Sequence, residues 1–304
     1  MAVTMTVARQ PGQAAGVARA EECPYTCAPM TTSDKPGSDK PERIVPERIA
    51  KVMARAGVCS RREAERWIAD GRVSIDGVRL TSPAINVPPG ATVTIDGKPL
   101  PAAEPARLWR YHKPRGVITT ASDPQGRPTV FDRLPASLPR VLTVGRLDFN
   151  SEGLMLLTND GAVKRRLELP ATGWTRRYRA RVHGRVDTDR LQALSRGIRV
   201  DGIDYGPMEA ALERQSGANA WVNLGLKEGK NREVRRVLEH VGLTVNRLIR
   251  VAYGPFQLGL LKPDEVREVP GKVLREQLGG DGSGPGPAAG KKRGKRGAHR
   301  RRTA

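Results

Sequence analysis

The chain has 304 residues, a formal net charge of +21 and a sequence pI near 10.7. A charge of this size indicates a polyanionic partner, most simply a nucleic acid, and residues 101–278 alone carry +11 of it. Three cysteines are too few for a disulfide framework in a chain of this length, the four histidines show no metal-ligand spacing, and no apolar run reaches the ~18 residues that span a bilayer. We therefore expect a cytoplasmic protein without a metal site or a membrane segment.

Both ends of the chain have the composition of disordered tails. Residues 1–45 are rich in small residues, proline and glycine, balance five basic against five acidic groups, and show no hydrophobic periodicity. Residues 279–304 are rich in glycine and proline and then in lysine and arginine, with a net charge of +7. These patterns predict a neutral N-terminal tail and a basic C-terminal tail.

Residues 46–104 are predicted to form a small domain that begins with two helices. The first helix has apolar residues at the i, i+3, i+4, i+7 spacing and ends at Gly57. Its apolar residues are Ile49, Val52, Met53 and Ala56. Ser60 and Glu63 have the spacing of a capping box, which predicts that a second helix starts there and runs to about Asp70.

Arg61 and Arg62 occupy the first turn of this second helix, where the helix dipole disfavours cations. This position of the two arginines is electrostatically unfavourable and brings no visible structural benefit, which suggests that they bind an anion. Helix N-termini already favour phosphate. Further on, Asp76-Gly77 lies between apolar alternating residues and predicts a hairpin. Two helices, a basic turn and a small sheet together resemble the S4-like RNA-binding domain.

Residues 105–278 alternate short strands with two or three helices, which predicts an α+β domain around a mixed, mainly antiparallel sheet. Lys113-Pro114-Arg115-Gly116 opens this region and by itself indicates only a turn. In GRLDFNSEGLMLLTNDG, residues 145–161, Asp148 lies on a turn before the apolar run 154–157, which predicts a buried strand. Arg146, two residues before this carboxylate, is within reach of an anion.

Two further segments carry candidate functional residues. Tyr178 begins the alternating, strand-like pattern of WTRRYRARV. In EGKNREVRRVLEHVG, residues 228–242, Asn231 is the predicted N-cap and Gly242 the predicted stop of a helix. Its predicted buried stripe consists of Val234, Val237, Leu238 and Val241.

Arg235 lies at the margin of that stripe, about 100° from its centre on the 3.6-residue repeat. A marginal arginine is well placed for a partly buried, bidentate pair with a carboxylate. Arg232 and Arg236 point away from the stripe, toward solvent or RNA.

These segments resemble the motifs of one enzyme family. The string around Asp148 is similar to the GRLDxxTxGLLLLTNDG signature of the RsuA family of pseudouridine synthases, with Ser151 where the family usually has threonine. Tyr178 matches the family's K-x-Y-x-V element, in which Arg176 replaces the usual lysine. Arg235 matches the basic residue that pairs with the catalytic aspartate.

The resemblance implies a pseudouridine synthase fold and the isomerisation of an RNA uridine to pseudouridine, without metal or cofactor. Asp148 would be the nucleophile, Tyr178 would stack on the flipped uracil, and Arg146 would fill the space that the base leaves. The KPxG element that contains Lys113 would frame the cleft. The residues expected to contact RNA are Arg146, Lys113, Arg61, Arg62, Lys230, Asn231 and Arg232.

We expect a monomer that acts on ribosomal RNA, and the large-subunit 23S RNA rather than the small-subunit 16S RNA, because family members with long basic extensions tend to act there. A non-catalytic RNA-binding assembly factor for the ribosome would also explain the charge and the small domain. It would not need Asp148, Tyr178 and Arg235 in matching contexts. An RNA methyltransferase would need a glycine-rich cofactor loop after a strand, and the sequence has none before its C-terminal tail.

Overall fold

The computed structural model describes residues 47–278. The two predicted disordered tails, residues 1–45 and 279–304, lie outside the described residues. Within the described range, no helix has the length and apolarity needed to cross a membrane.

The N-terminal part consists of two helices and two small sheets. Strands β2, β3, β5 and β6 form an antiparallel sheet in the order β3-β2-β5-β6, and β1 pairs with β4. The bounds of its elements are β1 (Glu47–Arg48), α1 (Ile49–Arg55), α2 (Arg61–Ala69), β2 (Val73–Ile75), β3 (Val78–Arg79), β4 (Asn86–Val87), β5 (Val93–Ile95) and β6 (Lys98–Pro99).

The local signals in this part are confirmed. The Ser60 hydroxyl accepts the Glu63 N–H at 3.1 Å, and the Glu63 carboxylate accepts the Ser60 N–H at 2.9 Å, so the capping box is complete. Asp76 and Gly77 both have positive φ, 48° and 82°, and connect the hairpin strands β2 and β3. The apolar face of α1 packs on α2 and β2 in a core that contains Met53.

The C-terminal part has more helices than the two or three expected, because the short α4 and the final α6 gave no clear sequence signal. The bounds of its elements are β7 (Leu108–Lys113), β8 (Leu142–Val144), β9 (Ser151–Thr158), α3 (Gly161–Glu168), β10 (Arg176–His183), α4 (Thr188–Ala193), β11 (Ile198–Val200), β12 (Ile203–Tyr205), β13 (Met208–Ser216), β14 (Asn219–Leu226), α5 (Glu233–His240), β15 (Thr244–Tyr253), β16 (Phe256–Gln257), β17 (Val266–Glu268) and α6 (Gly271–Leu278).

A nine-stranded sheet organises this part, with the main order β13-β14-β10-β15-β9-β7-β17. Its strand pairs are antiparallel except for β9 with β15, so the predicted mixed, mainly antiparallel sheet is confirmed. The predicted apolar run is the middle of β9, in which all eight residues are buried. Strand β9 therefore holds the preceding turn, which carries Asp148, against the centre of the sheet.

Gly153 makes the parallel pairing of β9 with β15 possible. It has φ 105°, and a Cβ at this position would overlap the backbone oxygen of Arg250 and lie 2.7 Å from its nitrogen. Only glycine combines this conformation with such a close backbone approach. The glycine of the GLMLL segment is thus required by the packing of two strands that both border the site.

The capping box leads to a stability prediction. Ser60→Ala should lower the free energy of unfolding by about 1 kcal/mol, because the Glu63 N–H loses its acceptor at the start of α2. Urea denaturation measures the change. Ser195→Ala is the control, since that exposed hydroxyl donates to the carbonyl of Gln192, three residues earlier, and caps no helix start. Equal stabilities of the two variants would contradict a capping role for Ser60.

Candidate active site

Asp148 lies on the tight turn between β8 and β9, half-buried beside the sheet. Its carbonyl oxygen accepts the Ser151 N–H at 3.0 Å, which closes the turn. The same oxygen accepts a hydrogen bond from the Lys113 ammonium at 3.1 Å. The backbone that carries the carboxylate is therefore held in place by contacts outside the turn itself.

Lys113, at the end of β7, is fully buried. Its ammonium donates to the carbonyls of Pro114, Asp148 and Ser151 at 3.1, 3.1 and 2.9 Å. The prediction that Lys113 contacts RNA is wrong, because a buried ammonium with three protein acceptors cannot reach a bound strand. Burial lowers the pKa of Lys113 to about 8, against the opposing effect of the Asp148 charge.

Arg235, in α5, is also buried, with 6% of its surface exposed. Its guanidinium donates through Nη1 to the Val245 carbonyl at 2.9 Å and through Nη2 to the Asn150 carbonyl at 3.0 Å. The predicted bidentate pair with the Asp148 carboxylate is not formed among the described residues, where Nη1 and Nη2 bind these backbone oxygens instead. Burial, and then the nearby Arg232, lower the pKa of Arg235, whereas Asp148 raises it. Arg235 therefore holds the turn at Asn150, between the two turn carbonyls that Lys113 binds.

Tyr178 lies on β10, where it pairs in register with Leu224 of β14 and Arg250 of β15. Its half-buried ring packs at the junction of two apolar clusters. Because directly opposed residues of antiparallel strands share a face, Tyr178 and Arg250 lie side by side on the same face of the sheet.

One cavity of about 280 Å³ brings most of the predicted site residues together. Asp148, Tyr178 and Arg235 come from three segments far apart in sequence, and all border it. The other predicted residues on its rim are Arg146, Lys230, Asn231 and Arg232. Arg146, Asn231 and Arg232 are exposed there, so they remain available to an RNA strand.

Arg250 borders the same cavity and was not predicted. It is 2% exposed, its Nε donates to the Leu154 carbonyl at 2.7 Å, and its guanidinium lies 5.3 Å from the centre of the Tyr253 ring. Among the described residues, Arg250 Nη2 and Arg235 Nε are the two buried side-chain polar atoms without a hydrogen-bond partner. The one sequence signal for Arg250 is a charged residue inside the apolar strand pattern of RLIRVAYG.

The helix α5 starts later than predicted. Arg232, with φ 49°, occupies the cap position, and Asn231 precedes it, so the assignment of Asn231 as N-cap is wrong. The buried Glu233 carboxylate instead accepts the Lys230 N–H at 2.8 Å. Burial raises the pKa of Glu233. This contact folds residues 230–232 into a tight loop at the cavity rim.

Arg61 and Arg62 are exposed on the first turn of α2, as their predicted role requires. Arg61 borders a second cavity of about 610 Å³, which also includes Asp160 at the start of α3. Arg55 of α1 approaches the same Asp160 carboxylate at 3.7 Å. These contacts place the basic helix start next to the C-terminal part of the chain.

Comparison with known proteins agrees with this architecture. Residues 107–240 match the RNA pseudouridylate synthase family, and residues 47–93 match the S4 domain. A protein of Rickettsia prowazekii described as an uncharacterized RNA pseudouridine synthase is 46% identical over 230 residues, 76% of this chain and 97% of that protein. Ribosomal large subunit pseudouridine synthase B of Salmonella typhi is 45% identical over 216 residues, 69% of this chain and 74% of that protein.

A solved pseudouridylate synthase has the same fold, with a TM-score of 0.53 and 25% sequence identity over 75% of this chain and 98% of that one. The mixed sheet and the two family matches thus define an RNA-modifying isomerase that carries an S4 domain. The chain belongs to the RNA pseudouridine synthase family, and the RsuA-type resemblance of its motifs is confirmed.

The buried Lys113 leads to a pH prediction. Its folded pKa of about 8 lies below the 10.5 of an unperturbed lysine. Between these values the unfolded chain binds more protons, so the free energy of unfolding should rise with pH. We expect the stability of the wild type relative to Lys113→Met to increase between pH 8 and 10, measured by urea denaturation. Lys98→Met, at an exposed position, should show no such trend, and a constant difference for Lys113→Met would contradict the buried ammonium.

Proposed function

We propose that this enzyme isomerises a specific uridine of ribosomal RNA, with Asp148 as the nucleophile. The observation that supports this is the convergence of Asp148, Tyr178 and Arg235 on one cavity of about 280 Å³. In the reaction, the bond between ribose C1′ and uracil N1 breaks, the uracil turns, and a bond from C1′ to carbon-5 forms. The proton lost from carbon-5 balances the one gained at N1, so the conversion needs no oxidant, metal or cofactor.

The target uridine must leave its stack before it can enter the cleft, which costs a few kcal/mol. Tyr178 offers an aromatic surface at the cavity, on which the uracil would stack. Arg146 is exposed at the rim, two residues before Asp148, where it can occupy the space that the base leaves. Both contacts compensate for the stacking that the RNA loses.

Arg235 would act in two ways. Its Nη2 holds the turn through the Asn150 carbonyl, and its Nε has no hydrogen-bond partner among the described residues. Arg235 and Asp148 border the same cavity, and the charge of Asp148 opposes the burial that lowers the pKa of Arg235 and of Lys113. We propose that Arg235 Nε pairs with Asp148 once a bound base excludes water, because electrostatic attraction strengthens as the local dielectric falls.

The RNA would lie across the basic rim of the cavity. Asn231 and Arg232 lie on the exposed loop before α5, together with Lys230, whose ammonium also contacts Glu228 at 2.7 Å. Arg61 and Arg62 would bind phosphates of the same RNA from the start of α2.

Large-subunit ribosomal RNA is the proposed substrate. The relatives named ribosomal large subunit pseudouridine synthase B, in Salmonella typhi and Shigella flexneri, are 45% identical to this chain. The basic sequence of residues 279–304 fits the same target, since long basic extensions are typical of family members that act on this subunit. We further propose that the enzyme works as a monomer in the cytoplasm.

Asp148→Asn tests the nucleophile and the target together. Cells that lack the gene are supplied with the wild type or the variant, and pseudouridines are mapped by carbodiimide labelling and primer extension. The wild type should restore one stop in 23S RNA, and the variant none, because the amide keeps the shape but is not nucleophilic. RNA affinity in vitro should stay within a few-fold.

Asp189→Asn, at an exposed position of α4, is the control and should act as the wild type. A restored stop in 16S RNA instead would overturn the large-subunit assignment. An Asp148→Asn rate above about a hundredth of wild type would overturn the nucleophile assignment.

Arg235→Ala should lower kcat by at least tenfold and also reduce stability, because the buried Val245 carbonyl loses its donor at about 1–3 kcal/mol and the partly buried Asn150 carbonyl loses its donor too. Single-turnover rates and urea denaturation measure the two effects. Arg236→Ala changes the next residue of the same helix and should leave the rate within about twofold, since Arg236 does not border the cavity within the described structure. Normal turnover of Arg235→Ala would show that the turn does not depend on Arg235.

A further inference from the structure

The nine-stranded sheet presents a second basic surface, on the face opposite the cleft. Along β10, Tyr178 and Ala180 point toward the cleft and the core, because side chains alternate along a strand. Arg177, Arg179 and Arg181 therefore point to the other face, where Arg177 and Arg181 are exposed. This surface is separate from the residues proposed for catalysis.

Four residues form a row across this face. Arg214 of β13, Trp221 of β14, Arg181 of β10 and Arg247 of β15 are paired in register on neighbouring strands. Adjacent strands lie about 4.8 Å apart, so the row spans about 14 Å. Three arginines and one tryptophan thus lie within a distance that a short stretch of a nucleic-acid strand can cover.

The arginines around Trp221 differ in their partners. Arg247 pairs with Glu152 at 2.5 Å, and Arg179 pairs with Glu213 at 2.6 Å and lies over the Trp221 ring at 4.1 Å. Arg179, which is itself paired with Glu213, therefore packs on the indole ring.

Arg181 and Arg214 form no ion pair or side-chain hydrogen bond among the residues that the structure describes. Two guanidinium groups, in register on either side of Trp221, thus keep their donors available. The neighbouring acid, Glu213, is already engaged by Arg179.

A cavity of about 350 Å³ lies between these groups. Arg181, Arg214 and Trp221 border it, and Ser216 and Asn219, from the β13–β14 hairpin, complete its polar rim. Its volume falls in the range of pockets that hold small ligands, about 300–1,000 Å³. Trp221 is half-buried and borders the cavity, so it keeps accessible surface there beside the contact with Arg179.

We propose that this cavity binds one nucleotide of a single-stranded RNA segment, away from the target uridine. Arg181 and Arg214 bind the phosphate, since the planar guanidinium matches phosphate geometry and stays charged. Trp221 stacks on the base, which every base permits, and Asn219 and Ser216 bond to its edge or to the ribose. The inference rests on the proposed function only in taking RNA as the partner, and it adds a second contact on the other face of the sheet.

The test uses full-length variants, and its two double variants carry the same change in charge. Arg181→Gln with Arg214→Gln removes the proposed phosphate contacts. Arg133→Gln with Arg275→Gln removes two exposed arginines elsewhere and serves as the control. Trp221→Leu removes the stacking surface. The probe is a fluorescent oligoadenylate, which contains no uridine for the cleft, and binding is followed by anisotropy at several salt concentrations.

The double variant Arg181→Gln with Arg214→Gln should bind about tenfold more weakly, with a slope of log affinity against log salt that is smaller by about 0.7 to 1.4. Trp221→Leu should also bind about tenfold more weakly, with an unchanged slope, because stacking involves no counterions. The control should bind within about twofold of the wild type. Ultraviolet cross-linking with mass spectrometry should place the RNA on the peptide that contains Trp221, and this product should be lost in the double variant.

Activity on a minimal stem-loop separates this proposal from the proposed function. The double variant should form pseudouridine there at the wild-type rate, because its cavity lies on the other face of the sheet. The second site would be overturned if the double variant had the same affinity and salt slope as the control. Cross-links that avoid the Trp221 peptide would also overturn it. Neither result would affect the role of Asp148. A loss of stem-loop activity in the double variant would also overturn the second site, since the two faces would not be separate.

Discussion

The arrangement of the site depends on two buried cations that hold the turn carrying Asp148. The Lys113 ammonium binds the Asp148 and Ser151 carbonyls, and the Arg235 guanidinium binds the Asn150 carbonyl between them. Buried charges are tolerated only where hydrogen bonds compensate for lost hydration, and these backbone carbonyls provide that compensation. The position of the Asp148 carboxylate is thereby coupled to the strand β7 and the helix α5, which carry the two cations.

This coupling requires the sheet to bring distant segments together. Strand β9 anchors the turn through eight buried residues, and Gly153 lets it lie directly against Arg250 of β15. The cleft then receives Tyr178 from β10 and Arg250 from β15 as neighbours on one face. Two donors in this region, Arg235 Nε and Arg250 Nη2, have no partner among the described residues. Such preorganised donors suit a site where negative charge from a carboxylate, a phosphate or a departing base must be stabilised.

The basic residues of the C-terminal part lie on both faces of its large sheet. The cleft face combines buried cations, which position groups, with exposed ones such as Arg146 and Arg232 at the rim. The opposite face has an arginine row with a tryptophan in it, of which Arg181 and Arg214 are unpaired within the described structure. An enzyme that acts on RNA can use both faces, because each phosphate contact adds affinity and helps to orient the strand.

The sequence alone determined the elements whose causes are local. The Ser60–Glu63 capping box, the hairpin at Asp76 and the buried strand after Asp148 depend on residues a few positions apart, and all are present. The motif strings likewise indicated the family. Only the tertiary structure decided that Lys113 is buried, that Arg235 binds carbonyls rather than the carboxylate, and that Arg250 borders the cleft. These outcomes depend on hydrogen bonds between residues 35 to 96 positions apart. The local spacing of residues cannot show which distant acceptor the folded chain brings within hydrogen-bond distance of a donor.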